Sequence, residues 1–471
     1  MAGIAVAEQN VQQVRRWRER QAAKTVGAGI LVQIISYAIR AVVIPLSLKL
    51  LGVDRYGLWL AVGSLVAWGG LADLGLSTGL VNAVAKASGQ RDVVEARRHI
   101  STALAAYAAI ATVLAGAALL IADWGALPRL LGAANNPALG GDARLLAAIC
   151  GIVFAASIWA QSFSTICSGL QEGYVGTLPL LAGRIISLAL LVVLLWRGAS
   201  VFSYALAVLL PPLAAQLGLS VFLFGWRHPE LLPSCRLCNR RSLRLLFSIG
   251  GPMTLDQVAT VGVLYSANVL VANRLSPAAV PHYAIPYSLF AMVNGAAYLI
   301  ANSYMPAYAE ASGSADWTWI RRRAFRSLYT TMALVAAING ALIVAGRTVI
   351  AVWAGRAMVP SLGFLIALAG YGLFRTYSET NGVLLVGLGL VRTKAALQLG
   401  VAAAMVVGGW LLLPKFGLSA IPILGSIGFA LSGALALPCA LRLLHRNEAH
   451  AVSPRPNIPG LPHLLAEAEQ E

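Results

Sequence analysis

Six ionisable side chains lie inside long apolar stretches of this sequence: Arg40, Asp73, Arg184, Asp256, Arg375 and Glu379. A charge near the middle of a membrane helix costs about 2.5–3.5 kcal/mol on insertion scales, so it faces a partner or a hydrated cavity. Two chemistries fit these residues. One is mutual neutralisation: Arg375 and Glu379 are spaced i, i+4 and can pair on one helix face. Arg40 can meet Asp73 across the first hairpin, and Arg184 can reach along its helix toward the nearer membrane surface. The other is anion binding. A guanidinium's planar fork bonds two phosphate oxygens at once, which makes Arg40 and Arg375 candidates for an anionic head group, with Arg184 as an entry contact. Asp73, Asp256 and Glu379 then orient the arginines or titrate in ion coupling. Asn268, Asn294, Asn302, Asn339, Asn381, Gln161 and Gln257 supply neutral donors and acceptors suited to sugar hydroxyls, although amides also join membrane helices.

Motifs for catalysis do not stand in the context they need. Gly75-Leu76-Ser77-Thr78-Gly79 spells G-x-S-x-G, but a nucleophile elbow requires a strand, a turn and a helix. Here the motif falls inside an apolar run, where Gly75 and Gly79 read as a small-residue packing surface. There is no Walker A sequence, no H-E-x-x-H and no dinucleotide fingerprint. The chain reads as a non-enzyme without a cofactor, driven by an ion gradient or by the gradient of its own cargo. Cys235 and Cys238 form a C-x-x-C with no second pair to complete four zinc ligands, so no metal site is expected.

The elements that position these residues follow from composition. Hydrophobic residues make up 58% of the 471 and charged residues 11%, against about 25% charged in soluble domains. Apolar runs long enough for a bilayer helix occur at about 25–51, 57–85, 100–122, 143–168, 175–196, 200–225, 246–272, 283–309, 327–349, 361–387, 394–413 and 418–443. They are continuous and rich in Leu, Ala and Gly, unlike the short alternating strands of a barrel. The expected fold is an all-α polytopic membrane protein with twelve transmembrane helices.

The net charge of +17 invites a nucleic-acid reading, but its placement does not. With both termini cytoplasmic, 23 of the 35 basic residues fall on the inner face and 9 on the outer. That asymmetry is the positive-inside rule, so the surplus sets topology and no nucleic-acid partner is expected. Trp59, Trp124, Trp196, Trp353 and Trp410 near outer ends, and Trp17, Trp226, Trp317 and Trp319 near inner ends, form aromatic belts in the same register. The first 24 residues mix arginines with Glu8 and Glu19 and do not resemble a cleavable signal. Pro252 and Pro286 are the best hinge candidates among the helix prolines.

The chain also repeats itself. Ala85-Lys86-Ala87-Ser88-Gly89, followed by Arg97 and Arg98, recurs 224 positions later as Ala309-Glu310-Ala311-Ser312-Gly313, followed by Arg321, Arg322 and Arg323. Six helices separate the copies, so the halves are parallel repeats around a cleft. The expected divisions are a basic segment at 1–24, a first lobe at 25–226, an inter-lobe loop at 227–245, a second lobe at 246–444 and a cytoplasmic, Pro-rich disordered tail at 445–471.

Leu51-Gly52-Val53-Asp54-Arg55-Tyr56-Gly57-Leu58-Trp59, Asp73-Leu74-Gly75-Leu76-Ser77 and the Arg97-Arg98 loop resemble the polysaccharide transporter family of the multidrug/oligosaccharidyl-lipid/polysaccharide (MOP) superfamily. The resemblance implies a V-shaped bundle in the bacterial inner membrane. It implies a flippase that carries an undecaprenyl-diphosphate-linked oligosaccharide between leaflets for O-antigen, exopolysaccharide or capsule synthesis. The expected partners are that lipid-linked anionic glycan, membrane lipids, and the polysaccharide polymerase and chain-length machinery, with the chain itself monomeric. A cation-coupled exporter of small molecules is the alternative, yet such relatives commonly carry an acid in helix 1, where this chain has Arg40. A membrane-bound glycan polymerase would need an acid/base set on a long outer loop, and the outer segments here are short.

Overall fold

The computed structural model describes the backbone of residues 2–90, 92–198, 200–313 and 316–452. Side chains are described from residue 31 to residue 444, apart from those gaps and positions 249–253, 255, 256, 306, 309, 310 and 313. The expected basic segment and C-terminal tail therefore fall largely outside the described side chains.

Among the described residues the chain is helical, without strands. The first half contains α1 (Ala2–Ala67), a 3-10 segment (Trp68–Asp73), α2 (Leu76–Gly89), α3 (Val93–Asp123), the short α4 (Leu127–Leu130), α5 (Pro137–Gly169), α6 (Gly173–Arg197) and α7 (Val201–Phe222). The second half contains α8 (Arg240–Arg274), α9 (Ala279–Asn302), α10 (Met305–Gly313), α11 (Trp317–Trp353), α12 (Leu362–Gly387), α13 (Val391–Phe416) and α14 (Ala420–Val452). Helices are the solution that satisfies every backbone group without water. Their starts carry the expected chemistry: Asp92, Asn136, Ser200, Asn239, Asp316 and Ser361 each cap a helix with a side-chain oxygen.

Among the described residues eight stretches are long and apolar enough to cross a bilayer. Leu31–Asp73 turns at Gly52, whose φ of 75° lies in the left-handed region, and Val391–Leu444 joins α13 to α14. α12, which carries Arg375 and Glu379, is not among the eight, and part of α8 lies outside the described residues. Large apolar side chains such as Leu120, Val344 and Val352 stay exposed on the outer surface, as a lipid-facing wall requires.

The internal repeat is visible in the hydrogen bonding. Asp92 N–H donates to Ala87 O at 3.0 Å, and Asp316 N–H, 224 residues on, donates to Ala311 O at 2.9 Å. Asp92 then accepts from Glu95 N–H, and Asp316 from Trp319 N–H, so both junctions turn the chain into α3 and α11 the same way. The breaks in the preceding helices do not correspond. In the first half the break spans Trp68 to Gly75; in the second it lies at Ser303 and Tyr304, later in the repeat.

The halves meet through α1 and α2 against α8 and α9. The backbones touch at glycines: a Cβ on Gly57 would stand 1.8 Å from Pro277 O, and one on Gly79 2.1 Å from Leu246 O. Gly132 needs glycine twice over, with φ +67° and a Cβ position 2.0 Å from Ala272 O. Asn268 Nδ2 donates across the joint to Ser64 Oγ at 2.9 Å. The segment between α7 and α8 is fastened to α3: Arg97 Nε donates to Leu232 O, Ser234 N–H to Ser101 Oγ, and Asn239 N–H to Thr102 Oγ1.

Candidate transport cavity

A cavity of about 490 Å³ opens between the halves. The first half contributes Asp73, Ser77, Tyr107, Ser157, Gln161, Ser162 and Thr165, and α8 contributes Gln257, Thr260 and Tyr265. Its one carboxylate among the described residues, Asp73, ends the 3-10 segment. Leu74 and Gly75 then take left-handed φ of 47° and 78°, and α2 begins. Asp73 Oδ2 accepts from Ser77 Oγ at 2.8 Å, and Oδ1 accepts from Ser77 N–H at 3.2 Å and from Tyr107 O–H at 2.7 Å. A carboxylate placed at a helix N-terminus meets unpaired N–H groups and the positive end of the dipole, the arrangement that discontinuous transporter helices use. The repeat counterparts of Asp73, Ser77 and Tyr107 at the 224 offset are Ala297, Ala301 and Thr331, so this knot belongs to the first half alone.

This geometry corrects two expectations. Gly75 does not lie inside a helix with Gly79 but at the turn that starts α2, while Gly79 packs against the Leu246 backbone. Asp73 does not pair with Arg40; its partners are Ser77 and Tyr107. The arginines expected in the cleft do not line this cavity either, whose lining has no basic side chain among the described residues.

Arg40 and Arg184 lie together on α1 and α6. Arg184 Nη1 bonds Ser36 Oγ, and the charge acting on Arg184 is that of Arg40. Arg375 and Glu379 form the expected i, i+4 pair on α12, Nε to Oε1 2.9 Å, at 13% and 14% side-chain exposure. Arg375 Nη1 also donates to Tyr287 Oη at 3.3 Å. The backbone of Asp256 is in α8 beside Gln257; its side chain lies outside the described residues. Gln257 Oε1 is buried without a hydrogen-bond partner among the described residues, while Gln161 completes the amide lining. The remaining amides serve packing: Asn339 donates to Ala369 O, Asn381 to Tyr377 O, and Asn294 accepts from Thr376 Oγ1.

A model of the polysaccharide biosynthesis protein family matches residues 22–312, from within α1 into α10. The chain belongs to the polysaccharide biosynthesis protein family. Its fold is shared by solved transporters of the MOP superfamily. One is a multidrug resistance MATE family transporter in the inward-facing conformation, with a TM-score of 0.72 at 16% identity over 88% of this chain and 100% of that one. The outward-facing MATE structure gives 0.62 at 14% identity over 90% and 96%. A MOP superfamily transporter from Pyrococcus furiosus, described as having a binding pocket of reverse polarity, gives 0.62 at 16% identity over 92% and 96%. A search of curated proteins finds no sequence match.

Some residues of the polysaccharide biosynthesis family member's cavity carried no charge to single them out. Tyr107 and Ser77 are ordinary in a membrane helix until the fold brings them to Asp73. Thr260 is another: it lines the cavity and accepts from Gln398 Nε2 at 3.4 Å, and Gln398 in turn lines a small internal gap with Glu379 and Lys394. A line of polar side chains thus runs from the cavity into the second half.

Asp73 supplies the first prediction. Asp73→Ala removes the acceptor of Ser77 N–H, about 1 kcal/mol, and leaves the buried Tyr107 hydroxyl without its carboxylate, about 1–3 kcal/mol. A thermal-unfolding measurement in detergent should show that combined loss. Asp73→Asn retains an acceptor for Ser77 N–H and Tyr107 and should unfold close to the parent.

Proposed function

We propose that this chain is a flippase that carries a lipid-linked, diphosphate-bearing oligosaccharide across the bacterial inner membrane by alternating access of its two lobes. In this reading it has twelve crossings, cytoplasmic termini and no catalytic role. The observation that carries the proposal is the combination of family membership with a cavity between lobes lined by amides and hydroxyls, Gln161, Gln257, Ser157 and Thr165. Such groups match sugar hydroxyls, and an unpartnered Gln257 Oε1 is ready to accept from one. Arg40 and Arg184 suit the diphosphate: two neighbouring guanidiniums gain from an anion placed between them. Arg375 then acts through its pair with Glu379, and Asp73, Asp256 and Glu379 remain the residues for ion coupling. Cargo would pass to a polymerase and its chain-length machinery on the far side.

The test is complementation of a deletion strain. Arg40→Ala and Arg184→Ala should insert normally and each lower surface glycan about ten- to hundredfold, the range for losing one charge-assisted contact. Normal surface glycan from both single variants and from the double variant would remove these arginines from the head-group site.

A second reading, a cation-coupled exporter of small molecules, has its own observation. Among the described residues Asp73 is the one carboxylate in the cavity lining and no basic residue faces it, which suits a cationic cargo. That reading expects drug resistance on expression and an intact surface glycan on deletion.

A further inference from the structure

On the face that the charge asymmetry assigns to the cytoplasm, a second pocket of about 640 Å³ lies between the two halves. Lys86 at the end of α2 and Arg98 and His99 in the first turns of α3 line one side. Arg241 and Arg244, in the first turns of α8, line the other. Glu95 is the one carboxylate in the lining, and it is already shared between Arg98 and His99, the latter at 3.4 Å. His99 is 4% exposed, and its Nδ1 has no hydrogen-bond partner among the described residues.

A topology anchor explains basic residues at a membrane face, but an anchor leaves its charges spread and its neighbours satisfied. Here four cations from both halves converge on one concavity around a buried imidazole with a free nitrogen. We propose that this pocket binds a lipid phosphate group and that its occupant clips the two halves together on this face. The guanidiniums and the Lys86 ammonium supply charge-assisted donors, and the N-terminal turn of α8 adds its dipole. Because the ligand touches α3 and α8 together, it is released when that face opens. Its source is either an anionic membrane lipid or the polyprenyl diphosphate of incoming cargo.

The proposal is independent of the cargo cavity and is tested without transport. Purified full-length protein in neutral detergent is titrated with dioctanoyl phosphatidylglycerol, with polyprenyl diphosphate, and with dioctanoyl phosphatidylcholine as a control, and binding is read by native mass spectrometry. The wild type should bind at least one anionic probe and not the zwitterionic control. Arg241→Gln with Arg244→Gln should weaken that binding about tenfold per arginine. Arg236→Gln, on an exposed arginine of the same connecting segment and outside the pocket, should leave it unchanged. Preference for phosphatidylglycerol identifies a resident membrane lipid, and preference for the diphosphate identifies cargo at its entry. Absence of binding by the wild type, or equal weakening by Arg236→Gln, overturns the site.

Discussion

Glu379→Ala should destabilise the second half by about 3–5 kcal/mol, the cost of leaving one partner of a buried ion pair without the other. The side chains of Arg375 and Glu379 are 13% and 14% exposed. With the carboxylate gone, the guanidinium keeps only the Tyr287 hydroxyl at 3.3 Å. Tyr287 cannot follow freely, because it stacks on Tyr283 at 5.6 Å and meets Tyr371 edge-on at 5.9 Å. Arg375→Ala should cost a similar amount by stranding the acid. Arg375→Met combined with Glu379→Met replaces the pair by apolar chains of similar length and should recover most of the loss, since such replacements are often neutral. Thermal unfolding of the parent, the two single variants and the double variant compares these outcomes directly. Export by the double variant then separates the roles: a stable protein that fails to export gives the charges a part in transport, and normal export leaves them a structural one.

Gly57→Ala is expected to have the largest effect on the joint between halves. Its Cβ would be 1.8 Å from Pro277 O and 3.0 Å from Pro281 Cδ. A carbonyl in the backbone cannot swing away as a side chain does, so α8 and α9 must move off α1 as a body. The joint should open on this face and export should fall by about tenfold or more, the effect of biasing the equilibrium by some 1.4 kcal/mol. Gly63→Ala is the matched control, on the same helix with nothing within 4 Å of its Cβ position. It should leave export unchanged, because Ala in a helix is favoured over Gly by up to about 1 kcal/mol. Labelling of Ser276→Cys in a cysteine-free background reads the opening directly. Faster labelling with Gly57→Ala and parental labelling with Gly63→Ala is the expected pattern; equal rates in all three would show that the joint yields without opening.

The bilobal plan was legible because a repeat is a property of the chain itself. The 224-residue offset reappears as equivalent hydrogen bonds at Asp92 and Asp316, and the i, i+4 spacing of Arg375 and Glu379 made their pairing a matter of helix geometry. The cavity was harder to read. Trp68-Gly69-Gly70 and Gly75 mark a weak stretch of helix, since glycine loses more entropy on ordering than any other residue. What fills that break is Tyr107, 34 residues from Asp73, and no spacing rule reaches so far. The Arg40–Asp73 pairing failed for the same reason: closeness in a hairpin permits a contact, and competition among tertiary partners decides it. The amides Asn268 and Asn339 looked equivalent to Gln161 in sequence. Only the fold separates those that join helices from the one that faces the cavity.

The central claim concerns cargo, and translocation in purified proteoliposomes tests it most directly. Vesicles loaded with a polyprenyl-diphosphate-linked oligosaccharide are assayed for exposure of the glycan to an added glycosidase. The wild-type chain should expose the inner-leaflet glycan well above protein-free vesicles, and the Arg40→Ala, Arg184→Ala double variant should not. Exposure no faster than in protein-free vesicles, with uptake of a cationic dye by the same preparation, would contradict the flippase and assign the cavity to a small-molecule exporter.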